Sequence, residues 1–325
     1  MKATLKKIDF QRDGVLIAFV LFAVFAVFRW GDVFQKPDTW RNLLCSNADV
    51  GILAVGMTLV IIGGGIDLSV GSLLALAGVL GIQQMGSGPV WVGVLWMVGT
   101  AATLGLAQGV VVTWGRVAPF VATLVGLLVF RSSALTLSKG GTVVSQNPAL
   151  ADLTSKGFPI PGLATFSGKP LMVFWSGVLF VAVALVAGFL LNQTPYGRRL
   201  VAVGSNERAA KYSAVNVGAI RVWSFVLMGV CAGLAAWVYA SKLNSVPSQN
   251  AGNLYELESI AAVVIGGTSL RGGQGRIWGT VVGVLILGMI GNILIAAEVD
   301  TYLQGIVKGA IILFAVLIAR GKKTD

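Results

Sequence analysis

Apolar runs long enough to cross a hydrocarbon layer recur along the chain, at 14–30, 48–63, 68–86, 90–112, 117–137, 171–191, 222–241, 277–297 and 304–320. Each is near the ~20 residues that a membrane-spanning helix needs. A tenth run, 257–270, reads LESIAAVVIGGTSL and is shorter. It fits a half-helix or re-entrant segment as well as a full crossing. The pattern predicts an all-α polytopic membrane protein with about ten transmembrane helices, including short or broken helices at two Gly-rich turns.

Composition supports that class. Charged residues are 11% of the chain and apolar residues 56%, against roughly 25% charged in soluble domains. Such a chain cannot both bury its apolar side chains and clothe a water-facing surface. Met1 to Arg12, followed by the run from Gly14 to Phe28, has the outline of a signal peptide. It lacks a small-x-small cleavage site, so it reads as an uncleaved first span.

The net charge of +11 would suggest nucleic acid in a soluble protein. Its distribution says otherwise. With ten crossings and an inner N-terminus, 15 of the 24 basic residues fall at inner ends and eight at outer ends, with Lys308 inside the last span. Eight acidic residues fall outside and four inside, so the outer face sums to zero and the inner face to +11. That is an orientation signal. The basic residues are also spread over separate segments, which argues against nucleic-acid binding.

Two long connections interrupt the pattern. The outer one, 138–170, is rich in Gly, Pro and Ser. The inner one, 192–221, carries five of the inner basic residues and a helix-favouring centre, SNERAAKYSAV. A helix of two to three turns capped by Ser205 or Asn206 is expected there. There is also an internal echo: LVIIGGGIDLSVGS (59–72) and AVVIGGTSLRGGQG (262–275) both run from β-branched residues into a glycine cluster. Such echoes accompany structural repeats in transporters, where broken helices line the substrate route.

The chemistry within the spans is sparse. GGGIDLSVGS places Asp67, Ser69 and Ser72 just beyond three glycines. Asp67 and Ser69 either cap the next helix, beginning near Leu68, or form a polar turn at a gate, and the two roles are compatible. Only Asp67 and Lys308 are ionisable within the spans, which disfavours proton or sodium coupling. The other polar residues are neutral: Ser72, Gln108, Thr113, Thr123, Ser176, Ser224, Thr280, Asn292 and Gln304. A neutral path suits a neutral polyhydroxyl solute. The candidate path or gate residues are Gly64, Asp67, Ser69, Ser72, Thr123, Thr268, Asn292 and Gln304.

The chain holds 43 glycines in 325 residues, nearly twice the usual ~7%. GxxxG spacing at Gly105/Gly109, Gly229/Gly233, Gly279/Gly283 and Gly305/Gly309 predicts close helix packing. The absence of histidine excludes His-based catalysis and ligation. Cys45 and Cys231 lie too far apart in sequence and too deep in apolar segments to suggest a disulfide framework or metal site. No GxxxxGK[ST] phosphate loop occurs, so P-loop nucleotide hydrolysis is not encoded here.

Four ordered blocks carry a resemblance: GGGIDLSVGS (63–72), ATLVGLLVFR (122–131), AVGSNERAAKYSAVNV (202–217) and YELESIAAVVIGGTSLRGGQGRIWGT (255–280). Together they resemble the ribose-type sugar ABC importer permeases, of the branched-chain-amino-acid/ribose-type superfamily, over nearly the whole chain. The resemblance implies a single transmembrane permease domain, 1–325, in the bacterial inner membrane, with residues 1–12 and 321–325 cytoplasmic. It implies no enzyme activity and no bound cofactor or metal. ATP and magnesium would belong to a cytoplasmic tandem ATPase, and a second permease subunit and a periplasmic sugar-binding protein would complete the importer. The cargo would be a pentose, hexose or related polyol, moved by alternating access. The 192–221 connection resembles the coupling segment that meets the ATPase, which points to Arg198, Gly204, Ser205, Asn206, Glu207, Arg208, Ala209, Ala210 and Ser213. The chain departs from the family at five places. Ser205, Ala214, Leu254 and Ser132 stand where the family has glycine, and Glu258 where it has aspartate. The rival reading is a stand-alone secondary transporter or facilitator for small neutral solutes.

Overall fold

The computed structural model describes residues 10–300 apart from 166, 167 and 169, and beyond them 303–307, 309, 310 and 313. The expected ninth span, 304–320, and both termini lie largely outside the described residues. The chain begins with helices α1 (Phe10–Arg29), α2 (Gly31–Phe34), α3 (Pro37–Ser46) and α4 (Ala48–Ile62), followed by α5 (Val70–Met85), α6 (Val90–Trp114) and α7 (Pro119–Leu137). The first long connection holds strand β1 (Thr142–Val144), the short helix α8 (Asp152–Ser155) and the hairpin β2 (Gly157–Ala164) and β3 (Pro170–Phe174). Then come α9 (Trp175–Gln193), α10 (Pro195–Ser205), α11 (Glu207–Tyr212), α12 (Val217–Leu243), strand β4 (Ser245–Pro247), α13 (Tyr255–Ile265) and α14 (Ile277–Ala296).

Among the described residues five helices, α6, α7, α9, α12 and α14, are long and apolar enough to cross a membrane. α3 and α4 meet at 52° and are long and apolar enough only when taken together, as a broken span or a re-entrant loop. The run 48–63 gives α4, 15 residues, which is too short to cross by itself. Asn47 makes the break: its amide donates to the Leu43 carbonyl at 2.7 Å and competes with the helix ladder. The runs 68–86 and 257–270 also give short helices, of 16 and 11 residues, below the length that spans ~30 Å of hydrocarbon.

The seam between α6 and α12 shows why glycine is abundant. A methyl at Gly105 would overlap the Phe225 carbonyl and one at Gly229 the Ala101 carbonyl, while Gly109 and Gly233 face Val222 and Val98 backbone at 2.9 and 2.5 Å. Two GxxxG stripes thus interlock backbone to backbone. Gly279 and Gly283 do the same against Gly266 and Ala262 of α13. Among the described residues, a methyl at Gly305 or Gly309 would meet nothing within 4 Å.

The segment 244–254 folds back along α5. β4 pairs antiparallel with β1, Thr142 opposite Pro247 and Val144 opposite Ser245. A methyl at Gly78 would lie 3.0 Å from Val246, and one at Gly252 would overlap Gly71 O. Arg131 of α7 pins this segment from the side, donating to Ser248 O at 2.9 Å and Ala251 O at 2.8 Å.

Candidate functional site at the two helix breaks

The 192–221 connection is two helices, not a loop around one. Thr194 caps α10, its hydroxyl accepting from Gly197 N, and Pro195 occupies the first turn. Ser205 is the last residue of α10, and Asn206 alone caps α11, its Oδ1 accepting from Ala209 N at 3.0 Å. A third cap, Asn216 on Ala219 N, starts α12 at Val217, ahead of the apolar run that begins at 222.

The candidate coupling residues divide by exposure. Arg198, Ser205, Asn206, Arg208, Ala209 and Ser213 face outward, Gly204 and Glu207 are half-buried, and Ala210 is buried. Tyr212, at the end of α11, is 93% exposed. Glu207 ties the segment to α12, accepting from Lys211 at 2.6 Å and from Arg221 at 2.9 Å. Hydrogen bonds from those two cations hold the Glu207 carboxyl below its ordinary value.

Both glycine clusters end their helices in the same way. Gly64 has φ +82° and Gly267 φ +83°. Gly64 and Gly65 donate to Ile61 O and Val60 O, and Gly267 and Thr268 to Val264 O and Val263 O. Each is a Schellman motif, whose left-handed position suits glycine. The sequence echo is therefore an echo of backbone geometry. α4 and α13 run side by side in the same direction: Tyr255 and Asp49 meet near their starts, and their ends meet the start of α14, where Thr58 and Thr280 share a 2.7 Å hydrogen bond.

The 192–221 segment sits where these breaks converge. Gly273 N donates to Ile62 O at 2.9 Å, joining the second break to the first. A methyl on Gly204 would overlap Ile62 O and lie 2.6 Å from Gly273 N, and one on Gly273 would lie 2.7 Å from Ser205 Cα. A methyl on Gly272 would lie 3.1 Å from Gly64 Cα, and one on Gly275 would lie 2.7 Å from Thr268 Cγ2. The structure thus brings Gly204, Ser205, Gly64 and Thr268 into one knot. The sequence echo marked the stretch that holds Gly272 and Gly273 but not that they dock on α10.

Asp67, Ser69, Ser72 and Thr123 form a second group beside it. Asp67 Oδ1 accepts from Ser69 N at 2.8 Å and Ser69 Oγ at 2.6 Å. Ser72 Oγ donates to Ser69 O, and Gln108 Nε2 of α6 donates to Ser69 Oγ at 2.9 Å. Thr123 Oγ1 bonds Ile66 O at 3.2 Å. All five side chains are buried. Asp67 braces the turn into α5, which begins at Val70; the Ser69 hydroxyl points back to Asp67 and does not cap that helix. Asn292 is elsewhere, about 18 Å along α14 from Thr280 at ~1.5 Å per residue, and Gln304 donates locally to Val299 O.

One constellation escaped the sequence reading. Asp49 is 1% exposed in the first turn of α4, and Lys242 of α12 donates to its Oδ1 at 2.6 Å and to Ser46 O. Tyr255 of α13 donates to the other oxygen at 3.2 Å. Asp49 stands near the start of an apolar run and reads as a terminal residue. It is interior because α12 and α13 close over it, bringing Lys242 and Tyr255 onto its two oxygens.

Residues 40–316 match the family described as branched-chain amino acid transport system / permease component. The ribose import permease protein RbsC of Escherichia coli K12 is 42% identical over 317 residues, 96% of this chain and 94% of that one. RbsC of Bacillus subtilis 168 is 40% identical over 291 residues, 89% and 87% of the two chains. The xylose transport system permease protein XylH of Escherichia coli K12 is 31% identical, covering 96% and 92%. No solved structure matches. The four sequence blocks, the glycine-broken spans and these relatives agree, and the chain belongs to the branched-chain amino acid transport system / permease component family as a multi-pass membrane transport subunit.

Proposed function

We propose that this chain is the membrane subunit of an ATP-driven importer that carries a pentose, hexose or related polyol inward by alternating access. A tandem ATPase, with its ATP and magnesium, docks on α11 from the cytoplasm. A loaded sugar-binding protein docks on the opposite face, and a second permease subunit completes the path. Both termini and the 192–221 segment are cytoplasmic, as the basic residues argue. The ribose and xylose permeases among its relatives and the neutral polar side chains of the spans support a sugar cargo.

The observation that carries this reading is the placement of Gly204 and Ser205 against Ile62 and Gly273. A displacement of α11 reaches both broken helices through the end of α10, whose Gly204 and Ser205 meet them backbone to backbone. The polar group at Asp67 lies on the extended stretch just beyond the first break, so moving that break also moves the path. Replacing Glu207 and Arg208 by Ala tests the role of the segment in a complex assembled with its ATPase and binding protein. Sugar-stimulated ATP hydrolysis is lost while the chain stays folded; unchanged hydrolysis contradicts the reading.

A further inference from the structure

We propose that the groove between α6 and α12 seats an acyl chain of an anionic phospholipid, whose headgroup phosphate is met by Arg116. The groove encloses about 590 Å³ and is lined by Ala102, Leu106, Trp114, Ala219, Trp223 and Val226 among others. Along α6 it runs from Ala102 to Trp114, roughly 18 Å at ~1.5 Å per residue. That is close to one leaflet, half of a ~30 Å hydrocarbon core.

Its end is built like a membrane interface. Trp114 and Trp223 are 72% and 57% exposed, and such rings favour headgroup depth. Two residues beyond Trp114 the chain turns at Arg116, with φ +53°. Arg116 is exposed and takes part in none of the ion pairs among the described residues. Residues 192–221 add five basic residues and one acid at the same end. A phosphodiester is the complementary partner for such a potential.

A helix from a second copy is the competing occupant. α6 does carry a further depression of about 440 Å³ at Leu95, Trp96 and Gly99, lined by α6 alone. A helix would use both depressions, which meet at Thr103, whereas the part walled by both α6 and α12 covers about one leaflet and ends at Trp114, two residues before the cation.

Native mass spectrometry of the purified, delipidated chain tests this, with phosphatidylglycerol and phosphatidylcholine titrated separately. Wild type binds phosphatidylglycerol more tightly. Arg116→Gln weakens that binding about fivefold, the effect of one basic residue at an anionic surface, and leaves phosphatidylcholine unchanged. Ala219→Trp, which fills the groove from an exposed position, removes both adducts. Equal binding of the two lipids, or phosphatidylglycerol binding unchanged in either variant, overturns the proposal. So does an Ala219→Trp variant that loses a dimer but keeps its lipid, because a second copy would then own the groove. None of these outcomes depends on an ATPase.

Discussion

Gly204→Ala perturbs the contact on which the proposed coupling rests. The new methyl would lie 2.6 Å from Gly273 N and closer still to Ile62 O, against the ~3.5 Å of an optimal carbon contact. Both neighbours are backbone, so relief requires α10 and the breaks to separate by more than ~1 Å, the Ile62 O contact being the tighter. That separation strains the buried bond from Gly273 N to Ile62 O, whose loss costs about 1–3 kcal/mol. Overpacking adds about 1–3 kcal/mol, for a total of about 2–6 kcal/mol. Unfolding in detergent followed by tryptophan fluorescence measures this directly. Gly291→Ala, in open space on α14, serves as the control and is neutral or slightly stabilising. In the assembled importer, Gly204→Ala lowers sugar-stimulated hydrolysis by more than the loss of folded protein explains. A variant as stable and as active as wild type would refute the claim that this contact is tight and transmits motion.

Other positions give independent checks. Asp49→Asn leaves Lys242 without its carboxylate and destabilises by about 3 kcal/mol, the lower end for a broken buried pair, since Lys242 can turn outward; adding Lys242→Met recovers part of the loss in a double-mutant cycle of unfolding midpoints. Leu254 and Ala214 hold φ values of +63° and +58°. Replacing either by glycine relieves about 1–2 kcal/mol of left-handed strain, offset by about 0.5–1 kcal/mol of glycine entropy, and raises the unfolding midpoint slightly. Glu207 has its carboxyl held below the ordinary 4.5 by Lys211 and Arg221. Its contribution is present above pH 4.5 and fades as pH falls through the lowered value; Glu207→Gln loses less than about 1 kcal/mol at pH 7, and the gap to wild type closes in acid unfolding curves.

Much of this was legible in residue order. The apolar runs at 90–112, 117–137, 171–191, 222–241 and 277–297 fell on helices of full span, while 48–63 and 68–86 gave shorter ones; GxxxG spacing marked helices that pack closely, because close approach requires glycine at fixed intervals, but not that α6 meets α12. The echo of two glycine clusters was visible as letters and suggested a repeat; that both clusters close a helix with a left-handed glycine is seen only in the backbone. Other features were illegible for physical reasons. α3, with Asp38, Arg41 and Asn42, carries no apolar run that would join it to α4, so the bent pair at Asn47 was not marked in the sequence. The return of 244–254 depends on Arg131, more than a hundred residues upstream, and on backbone contact between Gly71 and Gly252. α10 is amphipathic and polar overall, so it lacked the hydrophobic run that marked the other helices. The departures from the family's glycines at Ala214 and Leu254 were visible as letters, but only φ shows that the left-handed turn persists despite them.

The central claim is that transport belongs to an ATP-driven complex and passes through the 192–221 segment. Reconstitution into sealed proteoliposomes with radiolabelled ribose and xylose tests it directly, with the chain alone and then with a tandem ATPase and a sugar-binding protein added. The account predicts no uptake by the chain alone, and ATP-dependent uptake by the full assembly that Gly204→Ala suppresses. Sugar flux through the chain alone, without ATPase or binding protein, would contradict it and favour a stand-alone facilitator.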